Sequence, residues 1–140
     1  MLLMWTGNLS VGVKDFDDDH KRLIRIINEL HSAIQDAQLS GKVPEEEIEI
    51  ALHRLENYLQ YHCAREELYM ANTGYPDLAE HRQEHTQFGA KIVEMRQRFH
   101  GSSSLEDAQA VMDFVYNWLT HHINVTDKKF ATHMHANGIY

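Results

Sequence analysis

Histidine and carboxylate residues recur along this chain at spacings that bring them together on helices. Two pairs are four residues apart, a spacing that stacks both side chains on one face of an α-helix, about 6 Å apart along its axis. With three further positions they form a set of seven that can hold two metal ions: His20, His62, Glu66, His81, His85, His122 and Asp127. Five imidazoles and two carboxylates without a thiolate suit iron and, less exclusively, manganese or zinc.

The composition limits the classes of protein to which the chain can belong. Its 140 residues predict one domain, 1–140, with a core of its own. The formal charge of −8 argues against nucleic acid and anionic membrane surfaces as partners. The first residues lack the features of a secretory signal or a membrane anchor, so we expect a cytoplasmic location without membrane insertion. We also expect a monomer. The single Cys63 agrees with a reducing compartment.

The hydrophobic pattern predicts an all-α protein. We expect an N-terminal arm over residues 1–16 and helices over residues 17–39, 44–72, 76–100 and 104–136. The acidic run Asp17–Asp19 should open the first helix, since its charge suits the positive end of the helix dipole. Gly74 should end the second helix and Pro76 start the third. Ser104 and Asp107 resemble a capping box with Asp in place of Glu.

Four long helices joined by short loops predict an antiparallel up-down-up-down four-helix bundle. At a rise of 1.5 Å per residue, the candidate ligands lie roughly 5 to 15 Å from one end of each helix. In an antiparallel bundle those ends coincide. Chance pairs are the competing interpretation in a chain with 11 His, but they would rarely agree in depth on four helices.

The number of ligands predicts one open coordination position. Five imidazoles and two bridging carboxylates leave three of the roughly twelve positions of two six-coordinate metals. An oxo or hydroxo bridge would fill two of these and leave one for a small molecule. Because the donors are rich in neutral nitrogen, whereas oxidising di-iron sites use mostly carboxylates, we expect reversible oxygen binding over cleavage of the O–O bond.

Taken in order, these motifs resemble hemerythrin, specifically its single-domain bacterial form. The resemblance rests on His20 after an acidic run, His62-x3-Glu66-Glu67, Tyr75-Pro76, His81-x3-His85 and Trp118-Leu119-x2-His122-Ile123-x3-Asp127. It covers nearly the whole chain and implies two Fe ions in a non-haem, oxo- or hydroxo-bridged centre that binds O2.

The resemblance also implies a role for each residue. His81, His85 and His122 resemble the ligands of the coordinatively full iron, and His20 and His62 resemble those of the open iron. Glu66 and Asp127 resemble the bridging carboxylates. The resemblance implies an apolar oxygen pocket with five lining positions: Leu23, Cys63, Trp118, Leu119 and Ile123.

Two positions depart from a simple pattern. Cys63 stands where a phenylalanine is common in this family, so it is either a small buried hydrophobe or part of a roomier pocket with faster autoxidation. His122 and Asp127 are five residues apart, which turns their side chains about 140° away from each other on a regular α-helix. We therefore expect a π-bulge or a long sideways reach between them.

The function implied first is oxygen storage, buffering or delivery, with an oxygen-consuming enzyme as recipient. On this hypothesis the protein is not an enzyme and has no catalytic residues. The alternatives are a di-iron redox enzyme acting on peroxide or nitric oxide, and an oxygen or redox sensor. No additional charged or proton-relay pair is evident near the site in the sequence, which weighs against the enzyme.

Overall fold

The computed structural model describes residues 3–140, so Met1 and Leu2 of the expected arm lie outside the described residues. The helices are α1 Lys14–Ser40, α2 Glu45–Thr73, α3 Leu78–Ser102, α4 Leu105–His121 and α5 Lys128–Ala136. A π-helical segment, His122–Asp127, joins α4 to α5, and a short 3-10 helix, Gly7–Leu9, lies in the arm. No strand occurs between residues 3 and 140, and no helix in that range is long and apolar enough to cross a membrane.

The helices form a closed antiparallel ring. The first four helices each pack against the next one in the chain, and α1 also packs against α4. Left-handed glycines, Gly41 and Gly74, end α1 and α2 and allow the chain to reverse within a few residues. The predicted four-helix bundle with an N-terminal arm is therefore confirmed.

Apolar stripes on the helices form the core between them. On α1 the stripe runs through Leu23, Ile27, Leu30 and Ile34, spaced three or four residues apart and at most 2% exposed. Full burial of each such side chain stabilises the fold by about 1.5 to 3 kcal/mol. This stripe fixes which face of α1 points inward, and His20 lies on the same face, also fully buried.

The first helix begins earlier than the acidic run predicts. It starts at Lys14, and Asp17 accepts hydrogen bonds from the backbone N–H of Val11 at 2.8 Å and the hydroxyl of Ser10 at 2.5 Å. The acidic run therefore does not open the helix, although Asp17 lies in its first turn as the helix dipole favours, and the carboxylate of Asp17 fixes the turn of the arm. The other helix ends lie within two residues of expectation, but the expected fourth helix is interrupted by the π-helical segment.

The cap of α4 is half of the predicted box. The hydroxyl oxygen of Ser104 accepts the backbone N–H of Asp107 at 3.1 Å. The carboxylate of Asp107 accepts the hydroxyl of Ser102 at 2.5 Å, and the backbone N–H of Ser104 donates to that same hydroxyl oxygen. The hydroxyl of Ser102 therefore connects the Ser104 N–H to the Asp107 carboxylate, which in a capping box would bind that N–H directly.

The arm fastens α1 to α5 at one end of the bundle. Leu3 exchanges two hydrogen bonds with the side chain of Asn28, at 3.0 and 2.9 Å. His135 lies 2.9 Å from the carbonyl oxygen of Gly12, so close that a Cβ at Gly12 would stand 2.9 Å from the imidazole. Gly12 also has a φ of +74°, a backbone conformation that glycine adopts without strain. The arm covers the end of the bundle at which the predicted ligands lie.

Candidate metal centre

The structure brings all seven predicted metal ligands together inside the bundle. One comes from α1, two from the end of α2, two from the start of α3 and two from the π-helical segment. All seven are at most 5% exposed: His20, His62, Glu66, His81, His85, His122 and Asp127. Burial of so many polar side chains in one place costs free energy unless they pair with one another or coordinate a metal.

Their donor atoms fall into two groups that share one carboxylate. Glu66, His81, His85 and His122 form the first group, and His20, His62, Glu66 and Asp127 form the second. Within each group the potential ligand atoms lie within 4.8 Å of one another. These are the only such groups in residues 3–140, and they divide the imidazoles three to two.

The second carboxylate also lies between the two groups. One oxygen of Asp127 is 2.9 Å from His20 Nε2, and the other is 3.0 Å from His122 Nε2 and 3.4 Å from His81 Nε2. Glu66 is similarly placed, with one oxygen against His62 Nε2 and the other 3.4 Å from His81 Nε2. Both carboxylates therefore lie between the two groups of imidazoles, where they would contribute to holding both metal ions.

The hydrogen bonding inside the site shows that these atoms fit a metal. Nine buried side-chain atoms make no well-aligned hydrogen bond, and they include all four oxygens of Glu66 and Asp127. These four oxygens lie close to the imidazole nitrogens of the same cluster. The Nε2 atoms of His85 and His122 face each other at 3.2 Å. Buried polar atoms are nearly always paired in folded proteins, so a convergent set of unpaired nitrogen and carboxylate donors fits bound cations.

The π-helical segment explains the five-residue spacing. Its i→i+5 register places residues five apart on the same face, whereas a regular α-helix would turn them away from each other. His122 and Asp127, the first and last residues of the segment, are both buried. Nε2 of His122 lies 3.0 Å from a carboxylate oxygen of Asp127. The predicted bulge is confirmed.

Carboxylates outside the predicted set orient three of the imidazoles. Nδ1 of His62 lies 3.0 Å from Asp19, and Nδ1 of His122 lies 3.0 Å from Glu84. Nδ1 of His85 lies 3.5 Å from Glu67. An ionised carboxylate only accepts hydrogen bonds, so Nδ1 carries the proton and Nε2 keeps its lone pair for a metal.

These carboxylates follow a regular order around the bundle. Each is the sequence neighbour of a predicted ligand, and each reaches a histidine of the next helix. Asp19 beside His20 on α1 reaches α2, Glu67 beside Glu66 on α2 reaches α3, and Glu84 beside His85 on α3 reaches the π-helical segment. The sequence does show that an acidic residue stands next to each of these ligands. It does not show which helix that residue faces, so these contacts could not be predicted.

Asp19 also links the site to the protein surface. Tyr58 donates its hydroxyl to Asp19 at 2.9 Å, and Arg65 lies 3.4 Å from the same oxygen. Arg65 contacts Asp15 at 2.9 Å as well. The expectation that no additional charged pair lies near the site is therefore wrong, because Arg65 and Asp19 form one next to His62.

Burial and charge act in opposite directions on the groups of the site. Burial alone would raise the pKa of Glu66, but the charge of His62 and the close contacts with His122 and His81 hold it well below the usual value. Despite burial, Asp127 and Glu66 raise the pKa of His122 well above its usual value. Burial alone would lower the pKa of His62, yet Glu66 and Asp19 raise it to about 9. Burial lowers the pKa of His85 to about 4, with His122 and His81 adding to the effect. Glu66 is thus an anion and His85 a neutral base, as metal binding requires.

Four of the five expected pocket residues lie in the apolar interior around the site. Leu23, Leu119 and Ile123 are at most 1% exposed. Trp118 is half-buried and stacks on His122 with the ring centres 4.3 Å apart. Cys63 is the exception: it is half-buried and lines a cavity between α2 and α3 whose lining includes none of the other four.

The comparisons with known proteins agree with this geometry. The family model described as the hemerythrin HHE cation binding domain matches residues 11–133. The chain belongs to the hemerythrin family. It is 31% identical to a bacteriohemerythrin of Stenotrophomonas maltophilia, over 97% of this chain and 84% of that protein. It is also 31% identical to a bacteriohemerythrin of Methylococcus capsulatus, over 93% of this chain and 95% of that protein.

Solved hemerythrin structures share the architecture. A wild-type hemerythrin superimposes with a TM-score of 0.78 at 27% identity, covering 94% of this chain and 97% of that one. The resemblance noted from the sequence motifs is therefore confirmed. Hemerythrins bind a non-haem di-iron pair, and the buried cluster of this chain can hold metal ions, so the two findings agree on the cofactor.

Proposed function

We propose that this protein binds O2 reversibly at a non-haem di-iron centre, for oxygen storage, buffering or delivery. The observation that carries the proposal is the pair of buried donor groups that share Glu66, with unpaired atoms directed at both metal positions. Family membership supports the same metal and the same ligand. We propose all seven convergent residues as the iron ligands.

The two metal positions differ in the number of protein donors. His81, His85 and His122 with both carboxylates give one position five donors. His20 and His62 with both carboxylates give the other position four. The position near His20 and His62 is therefore the one with room for a small molecule. Iron bound there would supply the electrons that O2 accepts and returns.

The protein contributes orientation and the exclusion of water. Hydrogen bonds from Nδ1 to Asp19 and Glu84 hold the Nε2 atoms of His62 and His122 toward the centre. Leu23 lies one helical turn from His20 on α1, and Ile123 directly follows His122; both are buried. Such apolar walls keep water and free protons from the reacting oxygen, which favours release of intact O2.

Anaerobic reduction followed by exposure to air tests the proposal. Visible absorption should show an oxygenated form that disappears when the solution is purged with inert gas and returns on re-exposure. The metal-to-protein ratio should be two irons per chain. Failure to recover the deoxygenated form after purging would reject a carrier function.

The link from His62 through Asp19 to Tyr58 favours a second candidate, a redox enzyme acting on peroxide or nitric oxide. Tyr58 is half-buried and borders a surface cleft with Arg22, Tyr61 and Arg65. A chain of hydrogen bonds therefore connects the surface cleft through Tyr58 and Asp19 to His62. Reactions that transfer several electrons also need such a supply of protons. Repeated turnover of peroxide or nitric oxide, lost in Tyr58→Phe, would favour the enzyme.

The remaining expectations stay predictions. They are an oxygen or redox sensor as a third function, an oxygen-consuming enzyme as recipient, a cytoplasmic location and a monomeric state.

A further inference from the structure

The imidazole of His122 lies flat against the indole of Trp118. The two ring centres are 4.3 Å apart and the planes are at 15°. Trp118 in turn stacks on Phe88 of α3, with the ring centres 3.6 Å apart and the planes at 13°. Within residues 3–140 the other four ligand imidazoles meet neighbouring rings only at angles of 52° to 88°. A stacked ring is therefore a special feature of His122.

The imidazole needs such support because its side chain does not fix the plane of the ring. Rotation about the bond that joins a histidine ring to its Cβ has broad energy minima. Nδ1 of His122 lies 3.0 Å from Glu84, whose side chain is 33% exposed, whereas Asp19, which supports His62, has a side chain that is 3% exposed. A long, partly exposed carboxylate is a less rigid acceptor, so the stack supplies a constraint that Glu84 does not.

The position of Trp118 in the chain suits this role. It lies four residues before His122, in the last turn of α4, and the backbone N–H of His122 donates to its carbonyl oxygen. The π-helical register begins at His122. Side chains four residues apart are neighbours on a regular α-helix. Trp118 therefore connects the regular geometry of α4 to the first residue of the segment in which the register changes.

We propose that Trp118 is a positioning residue for the iron centre, which holds the imidazole of His122 at the tilt that directs Nε2 into the cluster. This nitrogen lies 3.0 Å from an oxygen of Asp127 and 3.2 Å from Nε2 of His85, so rotation of the ring would move it away from the other donors. Functional groups must be held within about 0.5 Å of the productive geometry. The inference rests on the proposed assignment of His122 as a ligand, but not on reversible O2 binding.

Substitution of Trp118 and measurement of the affinity for iron test the proposal. Trp118→Leu should weaken the affinity by about 10- to 100-fold in competition with a chelator, because the flat ring that fixes His122 is lost. Trp118→Phe keeps a flat aromatic face and should retain most of the affinity. Phe114→Leu is the matched control, since Phe114 is also half-buried on α4 and stacks on Phe88, at 5.5 Å, instead of on a ligand.

An NMR signal distinguishes positioning from a general loss of packing. In the reduced, iron-loaded protein, the Nδ1 proton of each ligand imidazole gives a signal that the iron shifts, and His122→Ala identifies the signal of His122. This signal should move in Trp118→Leu and stay in place in Phe114→Leu. Both substitutions should lower the melting temperature of the metal-free protein, because each removes part of an aromatic stack.

Two results would overturn the proposal. The first is an equal affinity for iron in Trp118→Leu and Phe114→Leu, which would mean that the stack contributes packing alone. The second is an unchanged iron content in His122→Ala, which would also reject the assignment of His122 as a ligand. A loss of iron in His122→Ala together with the first result would reject only the role of Trp118. If Trp118→Leu does not fold, Trp118→Met takes its place, since methionine fills irregular space without a flat face.

Discussion

At the scale of single residues, the carboxylates beside the ligands determine how the imidazoles point. Asp19 holds His62 and Glu84 holds His122, each at 3.0 Å from Nδ1. Asp19 is held firmly in place, since Tyr58 and Arg65 both contact its carboxylate and the residue is only 2% exposed. A rigid acceptor of this kind fixes the ring and strengthens the opposite nitrogen as a donor.

Asp19→Asn should weaken iron binding by about 10- to 100-fold, because the amide removes the charge that supports His62. Competition with a chelator, followed by visible absorption, measures the change. Glu49→Gln is the matched control, since Glu49 pairs with the exposed His100 far from the site and its loss should leave the affinity unaltered. Equal affinities for iron in Asp19→Asn and wild type would show that the contact has no such role.

Cys63→Phe should slow autoxidation of the oxygenated protein. Cys63 is half-buried and lines a cavity between α2 and α3 that also reaches His85, so it is not a fully buried hydrophobe. Burial raises the pKa of its thiol, so it is a neutral side chain and not a thiolate ligand. A phenylalanine would fill the space and hinder water. The decay of the oxy spectrum gives the rate, and Cys63→Ala, which keeps the space, should decay as fast as wild type.

At the scale of elements, the π-helical segment solves a problem of register. It places His122 and Asp127 on one face, while the helix continues into α5 with Phe130, Ala131 and Met134 buried. The extra residue is accommodated within the segment, where Asn124 and Val125 are exposed to solvent. A π-bulge is equivalent to one residue inserted in an α-helix. Deletion of that residue should therefore restore a regular helix and leave the same face of α5 directed into the bundle.

Deletion of Asn124 should therefore keep both irons. The histidine and the aspartate would then be four residues apart, a spacing that a regular α-helix also places on one face. Insertion of one alanine after Asn124 is the opposite change, since it turns Asp127 and the buried face of α5 by about 100°. Iron content and helical circular dichroism distinguish the two variants. Loss of iron from the deletion variant would show that the π geometry itself is needed.

At the scale of the whole molecule, the fold and the position of the site could be predicted because both depend on spacing along single helices. Apolar periodicity gave four helices, and the depths of His20, His81 and the other ligands agreed only in an antiparallel bundle. The partners of the ligands depend instead on which helix stands beside which. Asp19 and Glu84 face ligands of neighbouring helices, and helical periodicity does not contain that information. The cavity that Cys63 lines likewise depends on how α2 and α3 pack together.

The same whole-molecule packing predicts how the protein responds to loss of metal. Chelation removes the cations toward which the buried donor atoms of the site converge, so the melting temperature should fall by on the order of 10 °C.

The fall should depend on pH. Despite burial, Glu66 and Asp19 raise the pKa of His62 to about 9, which gives the metal-free protein stability that is full below about pH 6.5 and is lost as pH rises through about 9. A bound metal instead requires neutral His62, so protons compete with it. Calorimetry should therefore show a smaller difference in melting temperature between loaded and chelated protein at pH 6 than at pH 9. Reloading the metal should restore the melting temperature. An equal difference at both pH values would mean that metal binding releases no proton from His62.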